Sequence, residues 1–228
     1  MKAIILAAGK GTRMGNLSVE TPKPMLKVLG KTLLEHKLDM LPASIDEVVI
    51  VVGHLKNQVT DFIGDEYNGR KISYVVQEEL RGTASALFLC KDLLQGEERF
   101  LVMMGDDIYS KEDMEECLKY QWSILMREVD SLRDRAKVVF DNDGHIQDIL
   151  EKYQIDEKGF VCAGMYTMTP KIFDYKMVAI PGGEFGLPQT ILSAKKDFKI
   201  KAVQAQFWLQ ISAPEDLKLA ETFLSIKD

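Results

Sequence analysis

Cysteine is scarce and scattered. Cys90, Cys117 and Cys162 are the three cysteines in 228 residues, and no C-x-x-C pair occurs, which excludes a disulfide framework and a zinc knuckle. Histidine is equally rare. His36, His54 and His145 show no partner spacing for a metal or for acid–base chemistry, and are read as structural. No serine sits in a G-x-S-x-G elbow. Long apolar runs are missing too: none approaches the roughly 20 residues that span a bilayer. Lys2 leads straight into a short strand-like run with no cleavage site. There is no repeat, low-complexity segment or linker. These absences predict a soluble, reduced, cytoplasmic protein with no membrane partner.

What is present points to a globular enzyme-like chain. Hydrophobic residues make up 46% and charged residues 28%, a balance that excludes a disordered chain, and the length suffices for one sizeable core. A net charge of −6 argues against a nucleic-acid partner. The charge is unevenly spread. Residues 1–37 hold seven Lys/Arg against two Glu, whereas the rest carries 22 basic and 33 acidic residues. A basic N-terminal segment on an acidic protein suits a small polyanion, with chance clustering as the alternative.

Short apolar runs at 3–8, 48–52, 72–76 and 100–104 alternate with helical candidates at about 31–41, 55–63, 83–94 and 111–118. The runs are continuous and not alternating, as strands buried on both faces require. This rhythm predicts an α/β fold, a doubly wound, mostly parallel Rossmann-like sheet with ligands at the carboxyl ends of its strands. The second half reads differently. Strands are expected at 121–129, 136–140, 145–150 and 161–168, with the 141–144 Asp-Asn-Asp-Gly turn making a hairpin. Helices follow at about 187–195 and 214–224. Ser212 and Glu215 read as a capping box around Pro214. A single domain over 1–228 is expected, with a first half at about 1–118 and a mixed β-hairpin half at about 119–228.

Directly after the first strand comes Leu6-Ala7-Ala8-Gly9-Lys10-Gly11-Thr12-Arg13-Met14. Small residues at a strand's carboxyl end let backbone N–H groups approach phosphates. The G-x-x-x-x-G-K-[ST] loop is absent, and Met14 stands where a dinucleotide fingerprint needs its third glycine. Arg13 supplies a planar fork of donors for phosphate oxygens. Further on, Lys23 lies between Pro22 and Pro24, on a segment whose φ angles are restricted.

These two motifs, within residues 6–35, resemble those of the sugar-1-phosphate nucleotidylyltransferases. The resemblance implies a nucleotide-diphospho-sugar transferase-like fold in which Leu6, Ala7, Ala8, Gly9, Gly11, Thr12 and Arg13 wrap an NTP triphosphate. Arg13 and Lys23 then act on the reacting phosphates. Gln77, Gly82 and Thr83, in Q-E-E-L-R-G-T-A, are similar to the family's base-reading segment. An amide matches a pyrimidine's imide edge, so UTP or dTTP is favoured. Asp106, directly after Gly105, resembles the family's metal aspartate for Mg²⁺ (or Mn²⁺), with Asp107 as neighbour or substitute. Glu151, Lys152, Gly164 and Glu184 correspond to sugar-phosphate contacts.

The chain departs from that pattern in places. Tyr153 follows Glu151-Lys152 where proline is usual, and Cys162 stands for a common asparagine. In Trp208-Leu209-Gln210-Ile211-Ser212, Gln210 occupies the place of the second metal aspartate. Gln210 predicts weaker metal binding with activity retained, compensation by Asp107, or loss of catalysis. Trp122 and Trp208 are read as packing residues, and Lys10, Lys27 and Lys31 as plain surface charge. The expected reaction condenses an NTP with a sugar 1-phosphate to give an NDP-sugar and pyrophosphate. Cytidylyl or guanylyl transfer to another phosphate acceptor, and a catalytically weak nucleotide sensor, are the alternatives. A homo-oligomer stays open.

Overall fold

The computed structural model of the chain describes residues 1–225. Strand β1 (Lys2–Leu6) runs through the middle of a ten-stranded sheet. Ile4 and Leu6 pack on one face, Ala3 and Ile5 on the other. That two-sided burial is why the run is continuously apolar. Strands β2 (Glu47–Val52), β3 (Arg70–Val76) and β4 (Phe100–Met104) complete the parallel part. β2 and β4 flank β1, and β3 lies beyond β2, giving the order β3-β2-β1-β4. The chain winds outward from β1 to β3, then returns across β1 to β4. Winding therefore reverses between β1 and β4, and the loops leaving those two strands part to form a crevice.

Helices cover both faces: α1 (Leu33–Met40), α2 (Lys56–Ile63), α3 (Thr83–Phe88), α4 (Lys111–Cys117) and α5 (Leu187–Leu192), with α6 (Pro214–Ser225) closing the described chain. Leu34 and Leu38 of α1, and Val59 and Ile63 of α2, present i,i+4 apolar pairs to the Ala3/Ile5 side. Ala84 and Leu87 of α3 and Leu187 and Ile191 of α5 cover the other side. Each such fully buried aliphatic side chain contributes about 1.5–3 kcal/mol.

Short strand β5 (Asp107–Tyr109) follows β4, and β6 (Ser123–Val129), β7 (Lys137–Phe140), β8 (Ile146–Leu150), β9 (Gly159–Met168), β10 (Lys201–Gln204) and β11 (Trp208–Gln210) make up the second half. β9 joins the sheet antiparallel to β4 and to β6, and the β7–β8 hairpin extends from it. β10 pairs parallel with β6, while β5 and β11 form a separate antiparallel ribbon. Among the described residues no helix is long and apolar enough to cross a membrane.

Several boundaries differ from the sequence reading. The first strand stops at Leu6, so Ala7 and Ala8 belong to the loop. The helices expected at 83–94 and 187–195 end at Phe88 and Leu192 and continue as 3₁₀ turns at Lys91–Leu94 and Ser193–Lys196. Strands β5, β10 and β11 carry no signal because three or four residues are too few to display a period. At α6, Asp216, not Glu215, reaches back: its Oδ2 accepts from the Ser212 and Ala213 N–H groups at 2.6 and 2.8 Å. The helix begins at Pro214, so the third helical residue is Asp216 and Glu215 stands one position too early. A true capping box occurs on α1. Thr32 Oγ1 accepts from the Glu35 N–H at 3.0 Å, and Glu35 Oε2 accepts from the Thr32 N–H at 2.7 Å. Thr32→Ala is expected to destabilise the protein by about 1 kcal/mol, read as a lower urea midpoint at unchanged slope.

Candidate active site

Gly105 brings β4 against β1. Its N–H donates to the Leu6 carbonyl at 2.8 Å, and a Cβ there would come within 2.8 Å of the same oxygen. Only glycine allows this approach, which carries the next residue, Asp106, to the mouth of the crevice. A cleft of about 470 Å³ opens there, within the usual range for small-molecule sites. Leu6, Ala7, Ala8, Gly9, Gly11, Thr12, Arg13, Lys23, Gln77, Gly82, Thr83, Asp106 and Glu184 all line it. These thirteen predicted site residues are thus brought together.

The loop after β1 is pinned from below. Gly11 adopts φ +64°, Met14 is fully buried, and Ser18 Oγ donates to the Gly11 carbonyl at 2.8 Å. Lys10, Thr12 and Arg13 stay exposed along the cleft. Lys10, read from the sequence as plain surface charge, thus lines the cleft. Ser18 carries no motif signal, because its role depends on a carbonyl seven residues back.

Lys23 opens a 3₁₀ turn, Lys23–Met25, after the extended Pro22. The two prolines hold this turn, and the lysine side chain is only 7% exposed. Its Nζ lies 2.5 Å from Asp106 Oδ2, and the Asp106 side chain is 28% exposed. The ion pair joins the segment following β1 to the end of β4 across the cleft floor. On the opposite wall, Gln77 is buried and its Nε2 donates to the Gly82 carbonyl at 3.3 Å. Gly82 has φ +95°, and a Cβ there would meet the Phe185 carbonyl at 2.5 Å. Thr83 Oγ1 accepts from the Leu187 N–H at 3.0 Å. These contacts fasten the Gln77 loop to the segment that carries Glu184.

Five predicted residues lie elsewhere. Glu151, at the foot of the hairpin, accepts from Gln189 Nε2 of α5. Lys152 is exposed with φ +48°, and Gly164 is buried with its carbonyl accepting from Tyr109 Oη at 3.0 Å. Gln210 is exposed and sits opposite Asp107 in the β5–β11 ribbon, outside the cleft lining. Asp107 is also outside the cleft lining: the residue is 4% exposed, and its Oδ2 accepts from Trp208 Nε1 at 3.0 Å. Trp208 is thus a hydrogen-bond donor as well as a packing residue, whereas Trp122 stacks on Phe198 at 4.8 Å. The hairpin turn gathers Asp141, Asp143 and His145 with ligand atoms within 4.8 Å of one another, a proximity the spacing did not predict for His145. Asp141 is committed there to the Asp143 and His145 N–H groups, at 3.0 and 2.8 Å.

Behind the cleft lie two buried titratable side chains. Lys37 of α1 is 1% exposed and donates to the Asp107 carbonyl oxygen. Burial lowers the Lys37 ammonium to about 8, against the raising effect of the Asp107 and Asp106 charges. Burial, then the Asp106 charge, raises the Asp107 carboxyl to about 7, against the Trp208 hydrogen bond and the Lys37 and Lys23 charges. Helical spacing from Leu33 and Leu34 placed Lys37 on the inward face of α1, a signal present in the sequence but not used.

The family model described as nucleotidyl transferase matches residues 2–185. The chain belongs to the nucleotidyl transferase family. The match takes in every cleft residue of this nucleotidyl transferase from Leu6 to Glu184 and stops before Gln210. The chain is 35% identical over 234 residues to the UTP–glucose-1-phosphate uridylyltransferase AglF of Haloferax volcanii, covering 97% of this chain and 95% of that one. It is 32% identical over 227 residues to the bifunctional protein GlmU of Methanocaldococcus jannaschii, covering 98% of this chain but 54% of that protein, so it spans about half the relative's length. A crystal structure from Bacillus anthracis, described as a glucose-1-phosphate thymidylyltransferase in complex with a sucrose, superposes with a TM-score of 0.84 at 26% identity, covering 98% and 94% of the two chains.

The raised Asp107 carboxyl sets a pH dependence. Between about pH 4 and 7 the folded protein holds a proton that the unfolded chain has released, so this group's contribution to stability falls as pH rises through that window. Asp107→Asn removes that slope. Urea unfolding at pH 4.5 and 7.5 should show the variant gaining on the wild type at the higher pH by more than about 1 kcal/mol.

Proposed function

We propose that this nucleotidyl transferase condenses an NTP, with UTP or dTTP favoured, and a sugar 1-phosphate into an NDP-sugar and pyrophosphate. The observation that carries the reading is the Lys23–Asp106 pair on the floor of a cleft walled by the glycine loop after β1. A sugar-phosphate oxygen attacks the α-phosphorus in line, and pyrophosphate leaves. A phosphate monoester is already a nucleophile, so the protein's tasks are alignment and charge neutralisation. Lys10, Arg13 and Lys23 supply three cations along the path of the triphosphate, and backbone N–H groups of the glycine loop approach its oxygens.

The donors fit Mg²⁺ (or Mn²⁺). Asp106 offers a part-exposed hard oxygen beside those cations, and Mg²⁺ needs only one or two carboxylates when phosphate and water complete its shell. Bound there, the ion would neutralise charge on the phosphate oxygens. Asp106 and Lys23 would exchange their mutual ion pair for these new partners. On the other wall the buried Gln77 amide faces the base, and its donor–acceptor pair favours a pyrimidine imide. The AglF likeness supports UTP and glucose 1-phosphate as the pair to test first. Residues of about 1–118 bind the nucleotide and residues of about 119–228 the sugar phosphate, with Glu184 at the cleft and Glu151, Lys152 and Gly164 behind it.

One specific observation favours a second reading. Gln210 is neutral, exposed and outside the cleft lining, which leaves Asp106 to hold the metal without an aspartate at position 210, as a weak catalyst or nucleotide sensor would have it. Pyrophosphate release with UTP and glucose 1-phosphate separates the two. Lys23→Ala and Asp106→Ala should each lower turnover at least about 100-fold while circular dichroism stays that of the wild type. Near-normal turnover in either variant overturns the reading. Tight UTP binding without turnover on a panel of sugar phosphates, at saturating Mg²⁺, would favour the sensor.

A further inference from the structure

Lys37 is a cation where the fold provides for an apolar residue. It shares the inward face of α1 with Leu33, Leu34 and Leu38, all fully buried, and a lone ammonium in such a place costs several kcal/mol. Its head has two contacts instead. Nζ donates to the Asp107 main-chain carbonyl and lies 5.1 Å from the centroid of the Tyr109 ring. From the other side, Trp208 of β11 donates to the Asp107 carboxylate at 3.0 Å. Asp107 is therefore gripped at its carbonyl by α1 and at its side chain by β11. Gly105, two residues earlier, is closed against the end of β1. Asp106 lies between these two held residues, and its carboxylate pairs with Lys23 in the cleft lining.

We propose that Lys37 is a positioning residue that acts through Asp107: it holds the Asp107 carboxylate out of the cleft and fixes Asp106 as the carboxylate presented to the nucleotide-borne metal. The inference rests on the metal role given to Asp106 above. Tyr109 extends the same brace, because its hydroxyl donates to the Gly164 carbonyl of β9. The active carboxylate is thereby referenced to α1, β9 and β11 at once, although none of these elements supplies a residue to the cleft lining.

The test uses the full chain and Mn²⁺ with UTP. In Lys37→Met, calorimetric affinity for Mn²⁺–UTP should fall at least about tenfold, as losing a group that orients a metal ligand commonly does. The Mn²⁺ concentration for half-maximal pyrophosphate release should rise equally. UTP affinity measured in EDTA should change less than about twofold, which a general loss of structure would not spare. Lys37→Met alone leaves a lone buried carboxylate, so Lys37→Met/Asp107→Asn is measured beside it. The double variant should melt near the wild type yet keep the metal defect. Wild-type Mn²⁺–UTP affinity in a folded variant, or an equal loss with and without metal, overturns the inference. Asp106→Ala separates the two claims. If it binds Mn²⁺–UTP like the wild type, the metal role of Asp106 falls and the inference with it. If it loses binding while both Lys37 variants keep it, only the positioning role falls.

Discussion

The contact between the carboxyl ends of β1 and β4 governs what this protein can bind. Two parallel strands can lie side by side at this point only because Gly105 presents no side chain to Leu6 and Ala7. Winding reverses between the same two strands, so the chain leaves them in different directions and an opening forms above the junction. The glycine loop, Lys23 and Asp106 all stand on the rim of that opening. A larger residue at position 105 would push the carboxylate away from the cations before any ligand arrived.

The cleft is charged on its surface and charged again one layer down. Lys23 and Asp106 form the accessible pair; Lys37 and Asp107 are buried behind it and joined through the Asp107 main-chain carbonyl. Buried charges seldom add net stability, because desolvation offsets what they gain. What they supply is a narrow geometry, provided every polar atom has a partner. Here the partners are the Asp107 carbonyl, the Trp208 indole, the Tyr109 hydroxyl and the Gly164 carbonyl. The ribbon of β5 with β11 therefore matters beyond its three-residue strands: it brings Trp208 within reach of a carboxylate 101 residues away.

Motifs that act through contiguous backbone were legible before any coordinates. The loop from Leu6 to Arg13, the proline-flanked Lys23, the Gln77–Thr83 segment and Asp106 converge on one cleft as expected, because each is a local turn, three of them at a strand's end and Lys23 in a turn held by two prolines. Relations across the chain were not legible. Asp107 and Asp106 are adjacent in sequence and look interchangeable, yet Asp106 sits in the turn after Gly105 and lines the cleft, whereas Asp107 opens a strand and is buried against Trp208. Lys10 and Ser18 were overlooked for a similar reason: an exposed lysine and a solitary serine gain meaning only from what the folded loop places beside them.

Apolar runs buried on two faces, helices spaced between them and glycines at the strand ends are properties of short windows, and they were enough to specify the order of elements in the first half, the parallel centre and the glycine loop at the cleft. Which carboxylate lines the cleft, where Gln210 lies and why a lysine is sealed inside α1's apolar face depend on contacts over tens of residues. Those were decided by packing, since a charge can be buried only where distant donors and acceptors happen to converge on it.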